Sequence, residues 1–130
     1  MKFKAGIICV IYIALSASPA FAAGDADKGK KVFNKCKACH MVGENAKKRV
    51  GPPLNNIIGA KAGVQEGYKY SSAMVAAGEG GMVWDEETLS AYLLKPRDVV
   101  PKGKMAFPGL KKESDRVNVI AYLKQFMDAQ

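Results

Sequence analysis

The chain has one histidine and three cysteines in 130 residues. A lone imidazole excludes a two-histidine metal site, and three thiols exclude a disulfide-rich scaffold. No run reaches the ~18 consecutive apolar residues that suggest a membrane-spanning helix. No segment alternates with period two, so a sheet is not expected. Large apolar side chains are scarce as well. From Ala23 onward Val, Ile, Leu and Phe total 22 residues. That is close to the level, about one fifth, below which charged chains tend to stay disordered. A domain of this length buries about two thirds of its unfolded surface, and so few side chains fill such a core poorly. Something apolar that is not a residue is expected to complete it.

The first residues have the character of a secretory signal peptide. Lys2 and Lys4 precede a short apolar run from Ile7 to Leu15, and Pro19 and Ala20-Phe21-Ala22 follow. Residues 1–22 are therefore expected to be cleaved and residues 23–130 to form one exported domain, in the periplasm. Cys9 leaves with the signal. The mature chain keeps two cysteines, one histidine, 18 basic and 12 acidic residues, so its charge is +6 where the whole chain has +8. The excess base does not point to nucleic acid, because aromatics are not interleaved with it.

Helices joined by long Gly/Pro-marked loops account for the mature pattern, and the fold class is mostly α. Residues 25–37 run from Asp25 and Asp27 to a lysine-rich end, which suits a helix dipole, with Gly29, Val32, Phe33 and Cys36 on one face. Gly51-Pro52-Pro53, Gly59 and Gly63 leave room for at most a short helix near Leu54 to Ile58. A short helix is possible over Tyr68 to Ala77. Asp85 is a good N-cap for a helix that Pro96 ends, and Ser114 is expected to cap the last helix, with Val119, Tyr122, Leu123 and Phe126 on its apolar face.

The chemistry lies in Cys36-Lys37-Ala38-Cys39-His40. C-x-x-C-H reads as a c-type haem attachment. Thiols three positions apart lie on one side of a helical turn and reach the vinyl groups of one haem edge, and the adjacent imidazole falls under the iron. A thioredoxin-like pair would need a βαβ setting, and a zinc site would need a second pair; the chain has neither. For the sixth ligand no second histidine exists and both mature cysteines are used, and a methionine thioether is a soft ligand that suits haem iron. Met41 is too near His40, and Met127 sits in a packing helix. Met74, Met82 and Met105 remain, and the irregular loop Pro101 to Gly109 makes Met105 the best placed to wrap a flat cofactor.

At this point the chain resembles the class I c-type cytochromes, closest to bacterial cytochromes c2 and the mitochondrial-type carriers. The resemblance spans Asp25 to Met127. It rests on the haem motif, Gly51-Pro52, Tyr68-x-Tyr70, Gly81-Met82-Val83-Trp84, Glu87-Thr88-Leu89 through Tyr92-Leu93 and Pro96, Lys104-Met105-x-Phe107 with Gly109, and Ile120 to Leu123. It implies a cytochrome c fold in which the N- and C-terminal helices cross and loops wrap one covalently bound haem c. It assigns Met105 as the sixth ligand and Pro52 as the carbonyl that orients His40. Tyr70 and Trp84 match side chains that bond a buried propionate, and Tyr92 matches a tyrosine near the methionine. Gly29 and Phe33 match the helix crossing, against Val119 and Tyr122. Tyr122 and Phe107 are expected to serve as plain packing. Ala60, Met74 and Gly103 depart from the family pattern at positions that usually give polar contacts around the propionates.

With both axial positions filled, the expected role is that of a one-electron carrier and not an enzyme. A two-haem peroxidase would need a second C-x-x-C-H, and a four-helix cytochrome would carry its motif near the C-terminus. Lys35 and Lys37 flank the first haem cysteine, Lys102 and Lys104 flank Met105, and Lys111 and Lys112 follow; together they are expected to steer docking onto acidic redox partners. The resemblance implies a monomer that docks only transiently, with a cytochrome bc1 complex as donor and a photosynthetic reaction centre or terminal oxidase as acceptor. If the haem completes the core, a Cys36→Ala, Cys39→Ala double variant lacking haem will show no cooperative thermal transition by circular dichroism. A sharp transition would contradict this reading.

Overall fold

The computed structural model describes Ala14 and residues 23–128. The expected signal segment, with Cys9, otherwise lies outside the described residues. Among the described residues five helices occur in order: α1 (Ala26–Phe33), α2 (Ser72–Glu79), α3 (Glu86–Leu94), α4 (Pro96–Val99) and α5 (Glu113–Lys124). Among the described residues the extended pairing is an isolated antiparallel bridge, Lys61 to Val83. No helix there is long and apolar enough to cross a membrane.

The helix starts follow local chemistry in three cases. Asp25 accepts from the Lys28 amide at 3.0 Å and Asp85 from the Thr88 amide at 2.7 Å. Ser71 accepts from the Met74 amide at 3.1 Å. Each satisfies an amide that has no partner inside its own helix. Ser114 does not cap α5, contrary to expectation. The helix begins at Glu113 with Lys112 at its N-cap and no side-chain cap. A tertiary clamp starts it early: the Arg116 guanidinium donates to the Leu110 and Lys111 carbonyls at 2.8 and 3.0 Å and to Ser90 Oγ at 3.1 Å. One other expectation is corrected: the first helix ends at Phe33 and gives way to tight turns through Cys39. Leu54 to Ile58 forms turns without a helix, within what the breakers allowed.

The frame of the molecule is the crossing of α1 and α5. Gly29 makes it possible: a Cβ there would stand 1.9 Å from the Asn118 carbonyl oxygen and 2.8 Å from Tyr122 Cβ. The Asp25 amide also donates to Asn118 Oδ1 at 2.8 Å. Tyr122 stacks between Phe33 and Phe126, with ring centroids 5.3 and 5.1 Å away. Phe33, Leu89, Leu93, Val119, Ile120 and Leu123 join it in a buried cluster. The core is thin, and its largest fully buried side chains are Ile120 and Val119. Several further apolar residues, Leu54, Ile57, Met74 and Met105 among them, line an internal slot.

A side chain at the crossing has nowhere to go, because both obstacles are backbone or Cβ atoms. Gly29→Ala is expected to cost about 1–3 kcal/mol, the usual cost of overpacking, read as a lower denaturant midpoint with an unchanged slope.

Candidate haem site

The turns after α1 aim the motif. Cys36 and Lys37 amides both return to the Phe33 carbonyl, at 2.8 and 3.2 Å, and Cys39 and His40 amides return to the Cys36 carbonyl, at 3.1 and 2.9 Å. The chain is thus coiled tightly from Phe33 to His40, and Cys36, Cys39 and His40 all reach the wall of one cavity. That cavity has a volume of about 300 Å³, at the lower end of the ~300–1,000 Å³ typical of ligand sites. Phe33, Leu54, Ile57, Leu89, Leu93, Val119 and Leu123 supply its apolar lining. Met105 belongs to the same wall, as do Pro52, Tyr70, Trp84 and Tyr92.

His40 is held in one state by two contacts. Its Nδ1 lies 2.7 Å from the Pro52 carbonyl oxygen. A carbonyl only accepts, so Nδ1 carries the proton. Burial pushes the ring's pKa below 6.5 despite the opposing pull of the Pro52 bond, so the imidazole is neutral at pH 7. The unprotonated Nε2 is then left as a lone-pair donor, the arrangement a metal-binding histidine requires. The ring lies flat against Gly51, where a Cβ would come 2.4 Å from Cε1 and 2.8 Å from Nδ1. Only glycine admits the ring there.

The remaining donors suit a flat group with a polar edge. Burial raises the Tyr70 phenol and lifts the Tyr92 phenol to about 12. Both remain protonated donors at neutral pH. Trp84 is buried, with its ring 4.8 Å from that of Tyr92. Burial, with the neighbouring Cys39, raises the Cys36 thiol to about 11. Among the described residues no three His, Cys, Asp or Glu side chains cluster as a bare-ion site. One imidazole, two thiols three residues apart and a thioether around an apolar slot fit a haem, and they fit little else.

Two methionines line the cavity, Met74 and Met105; Met41, Met82 and Met127 do not. Phe107, expected as plain packing, also lines it, whereas Tyr122 packs as expected. The six candidate docking lysines, Lys35, Lys37, Lys102, Lys104, Lys111 and Lys112, are all exposed. The structure brings only Lys35 and Lys104 to the cavity wall. Lys104 Nζ is anchored, donating to the Lys69 carbonyl at 2.6 Å and standing 5.9 Å above the Tyr68 ring. Lys111 and Lys112 instead lead into α5.

Sequence reasoning missed three features of the site. Val50 lines the cavity yet is 76% exposed, and exposed Lys47, Lys48 and Arg49 precede it. The basic run was visible, but nothing local tied it to the cavity. Tyr68 also lines the cavity, and its hydroxyl donates to the Val50 carbonyl at 2.9 Å. Asn55 bonds Gly43 through both ends of its amide.

Comparison with known proteins agrees with this geometry. The family model described as "Cytochrome c" matches residues 26–126. A cytochrome c-554 of Methylosinus trichosporium is 50% identical over 116 residues, covering 89% of this chain and 86% of the relative. A cytochrome c2 of Afifella marina is 55% identical over 98 residues, covering 75% and 79%. The solved cytochrome c2 of Rhodospirillum centenum superposes with a TM-score of 0.76 at 42% identity, covering 80% of this chain and 99% of that one.

Proposed function

This chain belongs to the cytochrome c family and carries one haem c covalently bound at Cys36 and Cys39, and from that premise we propose that it is a periplasmic one-electron carrier whose iron is held by His40 and Met105. The observation that carries this reading is the shared cavity. His40, with its free Nε2, and Met105 line one apolar slot with the two haem cysteines. The bound haem supplies a single-electron couple between Fe(III) and Fe(II). With both His40 and Met105 holding the iron, no place would be left for oxygen or a substrate, which is why a carrier is favoured over an enzyme. The thioether and the apolar lining favour the reduced state. Pro52 holds the His40 ring in its tautomer, Tyr70 and Trp84 provide donors for a buried propionate, and Tyr92 stands near the Met105 thioether.

Export through a cleaved segment, residues 1–22, is part of the proposal, as is the single domain of residues 23–130. So is a basic docking face. Lys35 and Lys104 stand at the cavity wall, Lys37 and Lys102 add positive charge on the same segments, and Lys111 and Lys112 add more at the start of α5. Arg49 extends it, its Nη1 donating to the Lys37 carbonyl at 2.9 Å. Such a face steers a monomer onto the acidic surfaces of membrane redox complexes, a cytochrome bc1 complex on one side and a reaction centre or terminal oxidase on the other. The relatives named cytochrome c2 support that class of partner.

Two outcomes check this reading. In the oxidised protein, Met105→Ala is expected to abolish the weak iron–thioether absorption band, and the reduced variant to bind carbon monoxide rapidly; Met74→Ala is expected to leave both properties as in the wild type. A band lost in Met74→Ala and kept in Met105→Ala would reassign the ligand. Electron-transfer rates with respiratory or photosynthetic membranes are expected to fall steeply as ionic strength rises, and to fall less in a Lys35→Ala, Lys104→Ala variant, whereas salt-independent rates would remove the docking face.

A further inference from the structure

The His40–Pro52 bond belongs to a short ladder. Residues 39–43 and 51–55 run side by side in the same direction. The Gly51 amide donates to the Cys39 carbonyl at 2.9 Å and the Leu54 amide to the Met41 carbonyl at 3.0 Å. Pro52 and Pro53 have no N–H to donate, so the backbone offers no further bond between those two rungs. Side chains make up the shortfall. The His40 ring supplies the rung at Pro52, at 2.7 Å. Asn55 closes the end: its Oδ1 accepts from the Gly43 amide at 2.9 Å and its Nδ2 donates to the Gly43 carbonyl at 2.8 Å. The side-chain amide thereby imitates a backbone peptide. Beyond this rung the chain leaves as the mostly exposed loop of residues 44–50. The next residue, Asn56, is pinned elsewhere; its amide donates to the Phe126 carbonyl at 3.0 Å, and its side-chain oxygen accepts from the Asp128 amide.

We infer that Asn55 is a positioning residue for His40, fixing the Pro52 carbonyl against the imidazole by closing the ladder on Gly43. The inference rests on His40 being an axial ligand. A ring nitrogen that donates to a well-placed acceptor makes the other nitrogen a stronger ligand, and this favours the oxidised metal. With Asn55 removed, the ladder keeps only its two backbone rungs and the His40 bond itself. The 51–55 strand gains freedom, the His40 Nδ1–H···O bond weakens, and the oxidised state loses support.

The test uses the haem-loaded protein and proton NMR. In Asn55→Ala the His40 Nδ1 proton is expected to exchange with solvent at least tenfold faster than in the wild type, and the reduction potential to rise. Asn55→Asp keeps an acceptor for the Gly43 amide but loses the donor to its carbonyl, so both readouts are expected to fall between; it also serves if the alanine variant fails to fold. A lower melting temperature with wild-type exchange and potential in either folded variant would overturn the inference, leaving Asn55 a purely structural residue. A wild-type oxidised spectrum without iron-shifted imidazole resonances would instead overturn the ligation itself, separately from the role of Asn55.

Discussion

The hydrogen bond from His40 Nδ1 to the Pro52 carbonyl decides what the cavity can hold. It spans 2.7 Å between residues twelve apart. It removes the proton from the side of the ring available to a metal, and burial keeps the ring neutral. The cost of orienting one imidazole in this way is borne by its surroundings. Gly51 gives up a side chain so that the ring can lie against the backbone, and two prolines stiffen the segment that presents the carbonyl. Two backbone rungs and the Asn55 amide hold that segment to the one bearing His40.

The remainder of the fold keeps the opposite wall in place. The α1–α5 crossing fixes where the chain turns toward Cys36, because Phe33 is both the end of α1 and part of the buried cluster. On the other side the loop bearing Met105 has no helix of its own and is anchored at both ends. Near its start Gly103 returns to the Val100 carbonyl at 3.1 Å, and at its end Leu110 bonds the Leu93 carbonyl at 2.7 Å. Arg116 clamps the Leu110 and Lys111 carbonyls from α5. An arginine placed on carbonyls instead of a carboxylate gives direction without a buried ion pair. Lys104 ties the loop to the Tyr68–Tyr70 segment across the cavity. The protein core is therefore two walls with the apolar slot between them.

Much of this was legible in the sequence wherever the physical signal is local. The spacing of Cys36, Cys39 and His40 names its cofactor because the reach of two thiols on one turn is set by helical geometry. Asp85 announces its helix because a cap acts within three residues, and Asp25 and Asp27 announce theirs by placing acid at the start of the dipole. The expectation failed where a distant contact overrode the local one. Ser114 looked like a cap, but Arg116 bonds carbonyls upstream and α5 starts two residues earlier than a Ser114 cap would allow. Residues 34–37 carry a helical pattern, yet the chain leaves the helix at Phe33 to bring both cysteines to the cavity. Phe107 packs against the buried cluster as its apolar ring suggests, and it lines the slot as well.

By itself, the sequence determined the cofactor class, the haem attachment points, the mostly α class and the shortage of side chains for a self-sufficient core, because each follows from composition or from spacing within a turn or two. It also narrowed the sixth ligand to a thioether. Only the tertiary structure decided which methionines share a cavity with His40, that Lys35 and Lys104 alone of six lysines stand at its wall, and that Asn55 closes the ladder behind Pro52. Those relations join residues 12 to 69 positions apart, and a chain's path through space over such separations is fixed by packing, not by local preference.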